Sequence, residues 1–309
     1  MTRVYRRNLK LMGNQFTFAV VGRDNSWAQS RIDEAISEVQ RIEKLLTTYS
    51  NLSQTSHINE KAGVEPVKVD KEVFNLIERA LRISALTQGA FDITYGSIDK
   101  RLWNFDTNMN SLPDALTAKK MVRLINFRNV KLDKQNQTVF LKEKGMRIGF
   151  GGIGKGYAAD RAKSVMKNAG VESGIVNAAG DLTVWGRQPN GEGWTIGIAD
   201  PRRRDSPFAS LQLTDTSVAT SGNYEKFAII DGVKYSHTID PKTGYPVRGI
   251  KSVTIICSSA EISDAMATPV MVMGIKAGIH LIDQMKDISC IVIDDDGKIY
   301  TSKNIRLTY

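Results

Sequence analysis

Apolar positions along the chain recur at two periods, and the switches between them mark out the elements. Ile32, Ala35, Ile36, Val39, Ile42, Leu45 and Leu46 follow one another at three and four residues, the spacing of one face of an amphipathic helix. That helix is predicted over residues 26–47, with Asp24 or Ser26 as its cap. Val73, Leu76, Ile77, Ala80, Leu81 and Ala85 repeat the spacing and predict a second helix from a cap at Asp70 to about residue 87, ended by Gly89. Further helices are predicted over 113–125, entered through Leu112-Pro113, and over 157–169, 260–273 and 277–286. The other period is two. It predicts strands over 15–21, 173–177, 182–187, 193–198, 208–213, 217–220 and 251–257, with Trp194, Ile196 and Ile198 alternating most clearly. Three hairpins are predicted: 130–132 with 138–142, 227–230 with 233–239 across Asp231-Gly232, and 290–293 with 298–301 over Asp296-Gly297. The polar stretch 49–56 reads as a loop. Strands and helices mix without strict alternation, so the fold class is α+β, with helices of the first half packed on mostly antiparallel sheet.

Composition narrows the function classes. A chain of 309 residues with 41% hydrophobic and 24% charged residues has ample material for a core, as one large domain or two smaller ones. No apolar run reaches the roughly 18 residues of a membrane span. The basic stretch 1–10 lacks the apolar segment of a signal peptide and reads, with Leu11, as a lead-in to the domain. A net charge of +9 favours anionic partners. The basic residues are nevertheless dispersed. The one tight run, Arg202-Arg203-Arg204, is followed by Asp205 and has no interleaved aromatics, which predicts a solvated loop and no nucleic-acid surface. Cys257 and Cys290 lie in apolar, strand-like runs and read as buried thiols.

Four stretches carry candidate chemistry. In Tyr235-Ser-His-Thr-Ile-Asp-Pro-Lys-Thr-Gly-Tyr-Pro246, a histidine stands where a strand enters a turn fixed by Pro241, Gly244 and Pro246. Imidazole titrates near neutrality, which suits His237 to general base work; the alternative is a surface turn with an incidental histidine. Gly149-x-Gly151-x-x-Gly154 fits a dinucleotide fingerprint, and Gly149 to Lys155 nearly fits a P-loop. Gly156 stands where a P-loop needs a hydroxyl, and Asp181 is a late candidate for the acid a Rossmann unit requires. A glycine turn into a helix still presents backbone N–H groups to phosphate, and Lys155 adds charge there. Asp264 and Thr268 stand at i and i+4 on one predicted helix face, a hard-oxygen pair suited to Mg²⁺ or Ca²⁺, or simply a cap and a packed threonine. Asp92, beside Phe91 after a helix end and ahead of the aromatic stretch 102–105, can accept from a nucleobase amine or a ribose hydroxyl, or cap its own turn. His57 reads as a surface or capping histidine and His280 as structural.

The motifs His237-Thr-Ile-Asp-Pro-Lys-Thr-Gly244, Gly151-Gly-Ile-Gly-Lys-Gly-Tyr-Ala158, Gly89-Ala-Phe-Asp-Ile-Thr94, Ser221-Gly-Asn-Tyr224 and Ser263-Asp-Ala-Met-Ala-Thr268 occur in the order they have in the ApbE family, the FAD:protein FMN transferases. The chain resembles that family from about Met12 to its C-terminus. The resemblance implies a single ApbE-type domain over 1–309, related to the T-fold, with FAD in a deep cleft. It places Met12, Tyr49, Ala90, Phe91, Asp92, Gly149, Lys155 and Ile239 on the nucleotide. Gly149 is a departure, because many members carry an acid there. Mg²⁺ falls to the Gly152 carbonyl, Asp264 and Thr268. His237 becomes the base, with Asp240 orienting or positioning its turn. The activity implied is Mg²⁺-dependent transfer of FMN from FAD to a Thr or Ser hydroxyl of an acceptor flavoprotein, releasing AMP. An FAD pyrophosphatase with water as nucleophile, a flavin-binding protein without turnover, and a nicotinamide dehydrogenase resting on the glycine fingerprint are the alternatives. The family works mostly in the cell envelope or periplasm.

Overall fold

The computed structural model describes residues 2–99, 111–200, 203–223 and 227–305. The chain opens with a hairpin of β1 (Arg3–Leu11) and β2 (Asn14–Gly22). Its two turn residues, Met12 and Gly13, have φ of 50° and 73°, the double left-handed turn that matches strand twist. The lead-in of the sequence reading is therefore an edge strand. Then come α1 (Asn25–Leu46), α2 (Gln54–Glu60), β3 (Val67–Lys68), α3 (Lys71–Leu86), α4 (Ala115–Met121), β4 (Val130–Asp133), β5 (Thr138–Leu141) and α5 (Gly154–Asn168). The second half holds β6 (Gly174–Ala178), β7 (Asp181–Trp185), β8 (Trp194–Asp200), β9 (Arg203–Leu213), β10 (Thr216–Gly222), β11 (Phe227–Ile230), β12 (Val233–Ser236), β13 (Ile250–Cys257), α6 (Ala260–Met273), α7 (Ile275–Ile282), β14 (Ile288–Asp294) and β15 (Ile299–Thr301).

Eight strands form one sheet in the order β1-β2-β6-β7-β10-β13-β14-β15, every pairing antiparallel. Period-two alternation gives this sheet two apolar faces. Phe16, Phe18, Val20, Val176, Val253 and Ile255 join the main core under the helices. Their neighbours Val21, Ile175, Leu182, Val184, Val218 and Ile256 join a second cluster, filled by Trp194 and Ile196 of the β8–β9 ribbon. Helices α1, α5, α6 and α7 succeed one another over the first face, in the order of the strands beneath them. A third, small cluster of Ile98, Met121, Val122, Ile125 and Ile239 lies between α4 and the turn after β12. The fold is thus α+β, as the pattern predicts.

The differences from the sequence reading have local causes. Stretch 49–56 contains the start of α2, because Ser53 accepts from Ser56 N and caps a short helix. The helix predicted over 113–125 is only α4: Asp114 caps it, and Val122 and Ile125 turn into the third cluster instead of continuing it. Asp70 holds the cap position of α3, but its carboxylate accepts from Gln54 and makes no cap bond. The last predicted helix begins and ends earlier, as α7, on Gly274 with φ of 83°. Arg203 and Arg204 belong to β9, since ladder pairing is a backbone matter and does not exclude charged residues. Stretches 102–105 and 224–226 lie outside the described residues. Both cysteines are buried free thiols, as expected.

Candidate active site

Close approach of two helices builds the charged part of the site. Gly156, in the first turn of α5, has no room for a side chain: a Cβ there would lie 2.1 Å from Ala260 O and 2.8 Å from Asp264 Cβ. The absent side chain lets α5 meet α6 so closely that Asp264 Oδ2 accepts from Gly156 N at 2.9 Å. A carboxylate thereby satisfies one of the orphan N–H groups at the positive end of α5. The adjacent Lys155 ammonium lies in close contact with Asp181 Oδ2 and 3.6 Å from Asp264 Oδ1. Asp181 opens β7 directly after a turn in which Ala179 and Gly180 have φ of 56° and 99°. One ammonium therefore sits with two buried carboxylates, a formal charge of −1 out of the solvent. Burial, reinforced by Asp264, pushes Asp181 up to about 7 against the pull of Lys155. Burial also raises Asp264, opposed chiefly by Lys155. Burial alone would lower the Lys155 pKa, but the two carboxylates raise it, so the ammonium stays charged.

Thr268, one turn beyond Asp264 on α6, shares a 3.2 Å hydroxyl contact with Ser221 at the end of β10. Gly152 lies in the turn leading into α5, and a Cβ on it would be 3.5 Å from the Phe91 ring. The Gly89–Asp92 turn and the glycine turn thus abut. Phe91 and Ala90 are buried. Asp92 uses both oxygens within its own neighbourhood: Oδ1 accepts from Thr94 N and Thr94 Oγ1, and Oδ2 from Phe127 N. Its carboxylate is a turn cap in this structure, the plainer of its two sequence readings. Met12 packs over the start of α5, its Cε 3.8 Å from the position of a Cβ on Gly154. Gly149 is half-buried with open space where its side chain would be. Tyr49 stands 99% exposed, its ring outside this assembly.

His237 follows β12, which ends at Ser236, so it sits half-buried in the bend and not in the strand predicted to reach residue 239. The bend is fixed from both sides. Ile239 is buried in the third cluster, bridges Pro246, and its N–H donates to Tyr95 OH at 3.2 Å. Asp240 accepts from Lys242 N at 2.8 Å and Thr243 Oγ1 at 3.0 Å. The carboxylate thus braces the turn. Gly244 has φ of 77°, and a Cβ on it would be 2.1 Å from Ala118 O, so the turn lies directly on α4. Between this turn, the end of α4 and the Gly89–Asp92 turn is a cleft of about 360 Å³ whose lining includes Lys119, Arg123, Arg128 and Lys242.

Sequence reasoning weighed Asp181 only as a late candidate for a Rossmann acid and did not place it with Lys155 and Asp264. The signal was present in Asn177-Ala-Ala-Gly-Asp181, a tight turn delivering an acid, but its partners on α5 and α6 are far away in sequence. Ser221 was visible only as part of a motif.

Fold and site define an antiparallel α+β protein with a buried lysine–carboxylate cluster at a helix N-terminus and a histidine-bearing turn seated on α4. The sequence profile of the ApbE family matches residues 12–292. A Klebsiella pneumoniae (strain 342) protein named FAD:protein FMN transferase is 33% identical, over 99% of this chain and 94% of that protein. One of the same name from Treponema pallidum (strain Nichols) is 30% identical, over 89% and 80%. Among solved structures, the ApbE protein of Thermotoga maritima superposes with a TM-score of 0.87 at 31% identity, covering 97% of each chain. The flavin transferase ApbE of Vibrio cholerae gives 0.86 at 25% identity, covering 98% of each. The chain belongs to the ApbE family.

Proposed function

We propose that this chain transfers FMN from FAD to a Thr or Ser hydroxyl of an acceptor flavoprotein. The observation that carries the reading is the Lys155–Asp181–Asp264 cluster at the N-terminus of α5, in a chain whose relatives are named for this reaction. In the step, the acceptor oxygen attacks the phosphorus of the FMN half of FAD. The bond from that phosphorus to the bridging oxygen breaks, and AMP leaves with that oxygen. His237 takes the hydroxyl proton. Lys155 and the N–H groups opening α5 stabilise charge on the transferring phosphoryl group. Asp240 keeps the His237 turn in place. Met12, Tyr49, the Ala90–Phe91–Asp92 turn, Gly149 and Ile239 are assigned to binding the nucleotide.

The donors present fit Mg²⁺. They are oxygens only, and no group of three His, Cys, Asp or Glu suited to a metal exists among the described residues. One carboxylate with neutral oxygens is the partial set that Mg²⁺ completes with substrate phosphates and water. Asp264 Oδ1, Thr268 Oγ1 and the Gly152 carbonyl would hold it. When bound, Mg²⁺ neutralises the pyrophosphate and the departing AMP.

Incubation with FAD, Mg²⁺ and a candidate acceptor tests the reading by intact mass and nucleotide analysis. The expected result is an acceptor heavier by one FMN, with AMP released in equal amount. FMN and AMP in solution with no change in acceptor mass would make water the nucleophile and reject transfer.

A further inference from the structure

Nothing in the reaction as written uses Asp181, yet it is 5% exposed and is the nearer carboxylate to Lys155. A buried carboxylate is costly unless it is matched, so its presence beside a second one needs an account. The geometry points to a positioning role: we propose that Asp181 holds the Lys155 ammonium off Asp264 and so keeps Asp264 Oδ1 available to a divalent cation. The inference rests on the metal assignment of the proposed function.

The argument is one of competition. Of the two Asp264 oxygens, Oδ2 is committed to Gly156 N–H. Oδ1 is the oxygen left for a metal, and the only cationic side chain paired with Asp264 among the described residues is Lys155, at 3.6 Å. That distance is beyond a normal hydrogen bond, because the ammonium is drawn to Asp181 instead. Asp181 reaches this position from β7, and the tight Ala179-Gly180 turn fixes where the strand begins. It is therefore anchored independently of α5 and α6, which carry Lys155 and Asp264. Without the Asp181 charge, Asp264 is the one carboxylate left to the ammonium. Lys155 then closes on Oδ1 and competes with the metal for it. With Asp181 in place, the same lysine stays charged and is directed to where the α5 N–H groups meet phosphate.

The test is a double-mutant cycle read by calorimetric titration of Mg²⁺ alone into the protein, with thermal midpoints recorded in parallel. Asp181→Asn keeps shape and removes charge. It is expected to weaken Mg²⁺ binding roughly tenfold, within the span of couplings between contacting groups. Lys155→Met alone is expected to leave Mg²⁺ binding unchanged or somewhat tighter, since with Asp181 in place the ammonium is already held off Oδ1. In the Lys155→Met background, Asp181→Asn should leave Mg²⁺ affinity within about twofold. Were Asp181 a metal ligand, or acting only through its field, the loss would persist in that background, which overturns the proposal. A thermal midpoint lowered by Asp181→Asn with Mg²⁺ affinity intact makes Asp181 structural and overturns it too. Should Asp181→Asn fail to fold, Lys155→Met decides alone: weaker Mg²⁺ binding would make the lysine a support of the metal site and rejects the competition. A wild-type protein that binds no Mg²⁺ on its own overturns this inference but not the metal's part in the reaction, which the assay with FAD decides because substrate phosphates complete the set; wild-type binding that the variants leave unaltered likewise overturns the inference only.

Discussion

His237 is held by backbone on both sides: β12 ends one residue before it, and the turn after it is braced by Asp240 and seated on α4 through Gly244. In the proposed reaction this histidine acts on the acceptor hydroxyl and not on FAD. His237→Ala is therefore expected to slow transfer by about 100- to 10,000-fold, while FAD affinity and the thermal midpoint change little. A fall in rate of less than about threefold would return His237 to the status of a turn residue. At this scale the sequence was most legible where chemistry is local. The turn around His237 and the placement of Asp264 and Thr268 on one helix are both set by short-range spacing: α6 spans the pair as predicted, while His237 falls in the bend just past β12 and not in the strand. The Lys155–Asp181 contact spans 26 residues, and no spacing rule connects a helix N-terminus to the first residue of a strand beyond a hairpin. Asp92 marks the other limit. Its two readings, nucleotide contact and turn cap, call for the same residue type, and the structure shows its oxygens on Thr94 and Phe127.

Among the elements, α5 and α6 depend on one missing side chain. Gly156→Ala would force a methyl group against Ala260 O and Asp264 Cβ, both backbone-fixed, so the helices must separate. The expected result is a destabilisation of about 1–3 kcal/mol, the range for overpacking, with loss of the Gly156–Asp264 bond. A thermal midpoint within about 1 °C of wild type would show that the helix contact is not tight. A second element-level feature is the ion-pair network joining α1, α3 and α5. Arg41 bonds Glu38 and Glu72, Arg161 bonds Glu38, and Tyr157 OH donates to Glu72 at 2.5 Å. Hydrogen bonding to Arg41, ahead of all other causes, holds both glutamates below their ordinary value of 4.5. A lowered carboxylate pKa stabilises above the unfolded value and loses that contribution as pH falls through the folded one. Arg41 is 43% exposed, so its bonds are screened and together contribute about 1 kcal/mol. Arg41→Met should lower the thermal midpoint by about 2 °C at pH 7 and by less at pH 3, below the ordinary carboxylate value of 4.5. An equal loss at both pH values would assign the effect to packing. The long helices were legible because they bury a wide stripe; α1 and α6 fall within a residue of their predicted spans. Helix α4 was overextended because Val122 and Ile125 keep a helical spacing while serving a different cluster.

For the whole molecule, the net charge of +9 gains meaning from where part of it lies. Lys119 and Arg123 of the α4 region, Arg128, and Lys242 of the histidine turn are exposed, and all four line the cleft beside that turn. They come from three separate stretches of chain, which composition could not have shown to converge. The one acid in the lining, Asp92, accepts hydrogen bonds from Thr94 and Phe127 and interacts with Arg128, one positive charge of the four. Positive charge focused in a cleft raises the local concentration of an anionic partner. An acidic segment of the acceptor is the complementary occupant of this cleft, whose lining includes Pro241 and Lys242 of the histidine turn. Arg123→Glu with Lys242→Glu reverses two of the four charges and touches neither Lys155 nor Asp264. The double variant is expected to raise KM for an acidic acceptor roughly tenfold, with kcat and FAD affinity retained, and the gap should narrow as salt is raised. An unchanged acceptor KM would leave the cleft outside acceptor recognition, and an equal loss of FAD affinity would assign its charge to the nucleotide.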